Sequence, residues 1–152
     1  MLEITWLGHG TFKFRLDSGE VLAMDRWVEG NPLYPPGHEF DRVDDQASGY
    51  ALRFAEGRTV YFSGDTNVLS DMSLMRELYQ PSLAFLPVGD LYTMSPREAA
   101  TACRVLTPVT VVPMHFGTFP PLTGRPSEVS ARIANLPGTT VWELAPGKPV
   151  EW

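Results

Sequence analysis

Val60-Tyr61-Phe62-Ser63-Gly64-Asp65-Thr66 is the stretch that decides the fold. An apolar strand runs into Gly-Asp-Thr. Beyond Ser70, a plausible helix N-cap, Leu74, Met75 and Leu78 recur at helical spacing up to Pro81. The same order of strand, ligand-type residue and helix then returns. Residues 83–88 read as a buried strand leading to Asp90. Ser95-Pro96-Arg97-Glu98 opens a helix that runs to about Leu106, with a cap, a proline at the first helical position and a glutamate at the third. Residues 109–114 form another apolar strand, which runs into His115. Residues 127–135 read as a short helix capped by Ser127, and residues 141–144 as a last strand before a Pro-Gly turn.

Towards the N-terminus the pattern changes to a meander. Residues 4–7 and 11–16 are two strands around Gly8-His9-Gly10. In the second, Phe12, Phe14 and Leu16 alternate with Lys13 and Arg15, the period of a half-buried strand. Asp17-Ser18-Gly19-Glu20 is a hairpin turn, and residues 21–25 form a short apolar strand that ends at Asp25. Residues 26–48 hold Gly30, Pro32, Pro35, Pro36, Gly37, Asp41, Asp44 and Asp45 and keep neither period, which predicts a long loop. Residues 49–54 and 58–62 then make a hairpin through Ala55-Glu56-Gly57. An antiparallel meander followed by alternating helix and strand predicts an α/β fold with mixed sheets, in place of a doubly wound parallel sheet.

The 152 residues suit one domain with one core. The net charge is -6 and no Lys/Arg cluster appears, which argues against nucleic-acid partners. No apolar run is long enough to span a membrane, and the first ten residues lack the basic and apolar segments of a signal peptide. The single cysteine, Cys103, excludes an internal disulfide framework and falls in a helical pattern with Ala99, Ala100 and Leu106, which places it in the core. A cytoplasmic location is expected.

Chemistry-bearing residues gather at predicted strand ends: His9, Asp25, Asp65, Asp90 and His115. For each there is a plain alternative. A histidine can simply finish a strand, and Asp65 can accept N–H groups of its own turn. Strand ends are also where α/β sites are built. Whether these ends point the same way is not written in the sequence. No nucleophile elbow or Walker-type phosphate loop is present.

Taken in order, Trp6-Leu7-Gly8-His9-Gly10-Thr11-Phe12, the strand ending at Asp25, and Gly30-Asn31-Pro32 resemble the start of the metal-dependent hydrolases of the metallo-β-lactamase superfamily. The Gly-Asp-Thr stretch, Leu86-Pro87-Val88-Gly89-Asp90, Tyr92-Thr93-Met94 and Pro113-Met114-His115-Phe116-Gly117-Thr118-Phe119 resemble its UPF0173-type branch, relatives of ascorbate-6-phosphate lactonase, in order and spacing. The resemblance implies an αββα sandwich with mixed sheets, shortened here, as a single domain over residues 1–152. It implies a centre of two metal ions held by histidines and aspartates. It maps the bridging aspartate onto Asp65 and the last histidine onto His115.

The family's His-x-His-x-Asp-His motif should follow Phe40-Asp41-Arg42-Val43-Asp44. The chain instead passes to Asp45-Gln46-Ala47-Ser48-Gly49-Tyr50, which resembles the later hairpin, so a family segment is expected to be missing near 44–46. The chain's three histidines cannot supply that full ligand set. The resemblance therefore implies a divalent metal, Zn first with Mn or Fe as alternatives, reduced to one ion or none. His9, Asp25 and Asp90 are auxiliary candidates, and His38 a further donor. The implied activity is hydrolysis of an ester, lactone, amide or phosphoester in a small molecule. The alternative is an inactive pseudoenzyme or assembly module that keeps the scaffold. Apolar surface and sheet edges left by a lost segment imply a homo-oligomer.

Overall fold

A computed structural model describes residues 1–25 and 49–152. In chain order its elements are β1 (Leu2–Gly8), β2 (Thr11–Leu16), β3 (Val21–Met24), β4 (Tyr50–Arg53), β5 (Thr59–Phe62), α1 (Met72–Tyr79), β6 (Leu83–Pro87), α2 (Pro96–Leu106), β7 (Thr110–Met114), α3 (Pro126–Arg132), β8 (Thr140–Val141) and β9 (Pro149–Glu151). The α/β class with mixed sheets is the one observed. The described residues divide into two units, one of residues 1–25 and 144–152, the other of residues 49–143.

The first unit is an antiparallel sheet of order β3-β2-β1-β9. Its alternation follows the sequence: Phe12 and Phe14 are fully buried while Arg15 is exposed. Trp6 lies opposite Phe12 in the register, and the two rings stack with centroids 6.2 Å apart. Past Trp6 the register shifts, so that Gly8 faces Thr11 and the chain turns through His9. Strand β9 is absent from the sequence reading. Proline and glutamate carry no strand signal, and pairing with the distant β1 makes the strand. Leu2 and Trp152 exchange N–H···O bonds of 3.0 and 2.9 Å, and Gly147 N–H donates to Trp6 O at 2.7 Å.

The second unit is a mixed sheet of order β4-β5-β6-β7-β8. Strands β4 and β5 are the expected antiparallel hairpin, and β5, β6, β7 and β8 pair in parallel. Every residue of β5 and β6 is buried, as in a sheet covered on both faces. The covering core includes Met72 of α1, Ala99, Ala100, Cys103 and Leu106 of α2, and Val129 of α3, packed with Leu86, Val88 and Val111. Helix α2 begins as read. The Ser95 hydroxyl accepts from Glu98 N–H and the Glu98 carboxylate accepts from Ser95 N–H at 2.8 Å.

Three local readings are corrected. The cap of α1 is Asp71, itself in helical conformation with no side-chain cap bond, and Ser70 instead accepts from the Ser73 hydroxyl through its carbonyl. Leu74 and Leu78 keep the helical period but are 50% and 59% exposed, because Met72 occupies the inward face. Helix α3 starts at Pro126, whose fixed φ suits a first turn, so Ser127 lies inside the helix and does not cap it; the helix ends at Arg132. Strand β8 is only Thr140–Val141, although Trp142 N–H still donates to Val111 O. The loop reading over residues 26–48, with His38, lies outside the described residues.

Candidate functional site

Parallel pairing answers the question the sequence left open for three candidates. Strands β5, β6 and β7 run the same way, with Phe62 opposite Phe85 and Pro87 opposite Met114. Their carboxyl ends therefore share one sheet edge, and from that edge come Asp65, Asp90 and His115. His115 Nε2 lies 3.5 Å from Asp65 Oδ2. The His115 side chain is 6% exposed and that of Asp65 47%, so one partner is sunk in the fold and the other faces solvent. The distance exceeds the ~2.7–2.9 Å of a short charge-assisted bond. The two groups touch without closing tightly on each other.

Backbone conformation also marks Asp90 and His115, though not Asp65. Among the described residues, seven non-glycine positions have positive φ. Gln80 and Thr107 are helix C-caps. The rest are His9 (51°), Asp25 (44°), Asp90 (74°), Leu91 (60°) and His115 (56°). Such a conformation costs about 1–3 kcal/mol per residue and persists where neighbours enforce it.

The enforcing neighbours are visible. Gly89 lies against the backbone of His115: a Cβ at position 89 would fall 2.0 Å from the His115 carbonyl oxygen. Val88 N–H donates to Met114 O at 3.0 Å, and Gly124 N–H to Gly89 O at 3.2 Å. Gly124 has no room for a side chain either, since its Cβ would meet Val88 O at 1.9 Å. Asp90 braces its own turn: Oδ1 accepts from Leu91 N–H at 2.8 Å, and its backbone carbonyl accepts from Tyr92 N–H at 2.8 Å. The turn role weighed for Asp65 is thus the observed one for Asp90.

In the other unit, β1 and β3 run the same way on either side of β2, so His9 and Asp25 lie at one end of that sheet. Trp6 Nε1–H donates to His9 O at 3.0 Å, and the Thr11 hydroxyl to Asp25 O at 2.7 Å. None of these bracing roles of Trp6, Thr11 and Gly124 was read from the sequence: Thr11 and Gly124 act through backbone carbonyls distant in the chain, and Trp6 through the carbonyl of nearby His9.

The start of α2 is braced as well. Glu98 carries a carboxyl held below its ordinary range, first by the Ser95 N–H and then by the Ser95 hydroxyl. The hydroxyls of Thr66 and Thr93 are buried without a hydrogen-bond partner among the described residues.

A metal centre needs roughly three protein donors. Among the described residues, no group of three or more His, Cys, Asp or Glu side chains is arranged to hold an ion. The described donors therefore do not fit a resident metal on their own, and Asp65 and His115 remain a pair.

A family profile described as the Beta-lactamase superfamily domain matches residues 14–116. A UPF0173 metal-dependent hydrolase from Solibacter usitatus (strain Ellin6076) is 42% identical, with 99% of this chain and 100% of the relative covered. The chain belongs to the UPF0173 metal-dependent hydrolase family. A second UPF0173 relative, from Chloroflexus aurantiacus, is 47% identical over 97% of this chain and 96% of its own length. The Solibacter alignment extends over 231 residues, more than the 152 of this chain, so it opens gaps in it.

The fold of this UPF0173 chain matches solved structures. One is a metallo hydrolase from Ignicoccus hospitalis KIN4/I, with a TM-score of 0.77 at 24% identity, covering 98% of this chain and 97% of that one. Another is described as a metal-dependent hydrolase from Parabacteroides distasonis ATCC 8503, with a TM-score of 0.70 at 20% identity, covering 93% and 92%. Among the described residues, no helix is long and apolar enough to cross a membrane.

Proposed function

We propose that this chain acts as a hydrolase on an ester, lactone, amide or phosphoester of a small molecule, with Asp65 and His115 as its part of a divalent metal site. Zinc is the first expectation, with Mn or Fe as alternatives. The contact of 3.5 Å between His115 Nε2 and Asp65 Oδ2 carries this reading, because it sets a nitrogen and an oxygen donor side by side at the carboxyl edge of parallel strands. Two donors fall short of a site, so hydrolysis depends on donors beyond the pair. A gapped alignment with a longer relative supports loss of a donor-bearing segment near 44–46. The single, buried cysteine fits a cytoplasmic protein.

The second reading is an inactive pseudoenzyme or assembly module. The lack of a third convergent donor among the described residues favours it. Its expected form is a homo-oligomer, since Val21, Leu22 and Ala23 leave an apolar edge strand exposed.

Metal analysis and hydrolysis assays on tag-free protein decide between the two. The hydrolase reading expects bound metal that falls in Asp65→Ala, together with metal-dependent turnover of an aryl ester, a lactone or a phosphodiester. Absence of both metal and turnover, in protein whose intact mass is 16.9 kDa, overturns it. A compact monomer on gel filtration overturns the assembly module.

A further inference from the structure

The turn before α3 is held by a residue that helix stability does not explain. Arg125 is the N-cap of α3, yet its side chain makes no cap bond to the helix. Serine, threonine, aspartate or asparagine is the usual cap, and a cation beside a helix N-terminus is opposed by the helix dipole. The guanidinium instead turns back on the preceding residues. Its Nη1 lies 2.9 Å from Leu122 O, 2.9 Å from Thr123 O and 2.8 Å from Gly124 O. Three carbonyl oxygens gathered at one point repel each other, and a fixed positive charge among them offsets that repulsion.

This turn is wedged against the backbone that carries His115. A Cβ at Gly124 would fall 1.9 Å from Val88 O and 2.9 Å from Pro96 Cδ, so the turn is seated with no room to spare. Gly124 N–H donates to Gly89 O at 3.2 Å. Gly89 lies between two walls: its added Cβ would meet His115 O at 2.0 Å and Leu122 Cβ at 3.2 Å. Leu122 is itself buried. His115 is held left-handed here, at φ 56°, with its Nε2 3.5 Å from Asp65 Oδ2. A shift of the 122–124 turn therefore reaches His115 through one glycine.

We propose that Arg125 is a positioning residue for His115. By fixing the carbonyls of residues 122–124 it seats Gly124 on Gly89, and Gly89 on the His115 backbone. The path is a run of close backbone contacts, so side-chain rotation does not absorb a displacement along it. The proposal rests on the hydrolase reading for what His115 does, and on the packing alone for where His115 is held. Arg104 gives the comparison. Its guanidinium also donates to carbonyls in the same unit, Ala100 O at 3.1 Å and Arg132 O at 2.7 Å, and ties α2 to the last residue of α3. A loss of stability alone would be shared by both arginines.

The test is NMR and amide exchange on the whole chain in Arg125→Met, Arg125→Lys and Arg104→Met. Arg125→Met keeps an aliphatic stem and loses the donors. It is expected to speed exchange of the Gly124 amide about tenfold and to move the ring and backbone resonances of His115. Arg125→Lys puts a point charge in place of the planar fork and is expected to move the same His115 resonances less. Arg104→Met is expected to lower the melting temperature and to leave the His115 resonances in place. Both arginines are exposed, so the methionine variants are expected to fold, and melting curves check this. If Arg125→Met unfolds, the smaller shift in Arg125→Lys carries the same reading. Unmoved His115 resonances in the folded Arg125 variants, or equal movement in Arg104→Met, overturns the proposal. His115 resonances that move in a protein without metal or turnover support the positioning role and overturn the hydrolase reading alone.

Discussion

Gly89 and His115 are in backbone contact: a Cβ added at position 89 would lie 2.0 Å from the His115 carbonyl oxygen and 3.2 Å from the Leu122 Cβ. The first obstacle is backbone, so no side-chain rotation relieves it. Gly89→Ala is expected to push the ends of β6 and β7 apart and to destabilise the fold by about 1–3 kcal/mol or more. Gly57→Ala is the control: its φ of +89° is strained, but nothing lies within 4 Å of the added Cβ. Urea unfolding of the two variants should show the larger loss at Gly89. Equal losses would mean that the approach at Gly89 is not tight.

Asp65 separates binding from stability. Its side chain is 47% exposed and its contact with His115 is long, so the pair adds little to the fold. Asp65→Asn is expected to change unfolding free energy by less than about 1 kcal/mol while abolishing any metal uptake. Denaturant titration checks the first half and metal analysis of the same sample checks the second. A large loss of stability would give Asp65 a structural role instead.

Much of this site was legible because it depends on local sequence. The Gly-Asp-Thr turn, the strand into His115 and the capping box at Ser95 and Glu98 each involve residues a few positions apart. What was not legible depends on long-range contact. Parallel pairing set Asp65, Asp90 and His115 on one edge, and pairing with β1 made a strand of Pro149–Glu151. The left-handed residue Asp25 is held through its backbone carbonyl by the Thr11 hydroxyl, 14 positions earlier in the chain. Exposure of Leu74 and Leu78 shows the limit of periodicity: spacing of apolar residues marks a helix, and the neighbours decide which face is covered.

Glu98 predicts an acid sensitivity. Its carboxyl is held below the ordinary value of 4.5, first by the Ser95 N–H and then by the Ser95 hydroxyl. A depressed carboxyl pKa means that the unfolded chain takes up its proton at higher pH than the folded one. Its stabilising contribution is complete above about pH 4.5 and is lost as pH falls through the lower folded value. Glu98→Gln should therefore lose stability at pH 7 and show a flatter decline between pH 5 and acid. Ser95→Ala removes the reciprocal cap bond and should cost about 1 kcal/mol. Melting curves across this pH range check both, and a decline as steep in Glu98→Gln as in wild type would exclude Glu98 as its source.

Cys103 reports on the second unit from within. Burial pushes its thiol up to about 12, with the Arg104 charge opposing only in part. Only the thiolate attacks a disulfide reagent, and here it is both scarce and enclosed by the core around Ala99, Ala100 and Leu106. Reaction with an aromatic disulfide at pH 8 should therefore proceed through opening of residues 49–143, at a rate that rises with denaturant. The sign for alkaline pH is opposite to that of Glu98. A thiol pKa raised on folding gives stability that is complete below the ordinary value of 9.0 and is lost as pH climbs from there towards 12. Cys103→Ala should remove that alkaline loss and cost about 1 kcal/mol in packing at neutral pH. Rapid modification of the native protein in the absence of denaturant would place the thiol at the surface and contradict the packing of α2 described above.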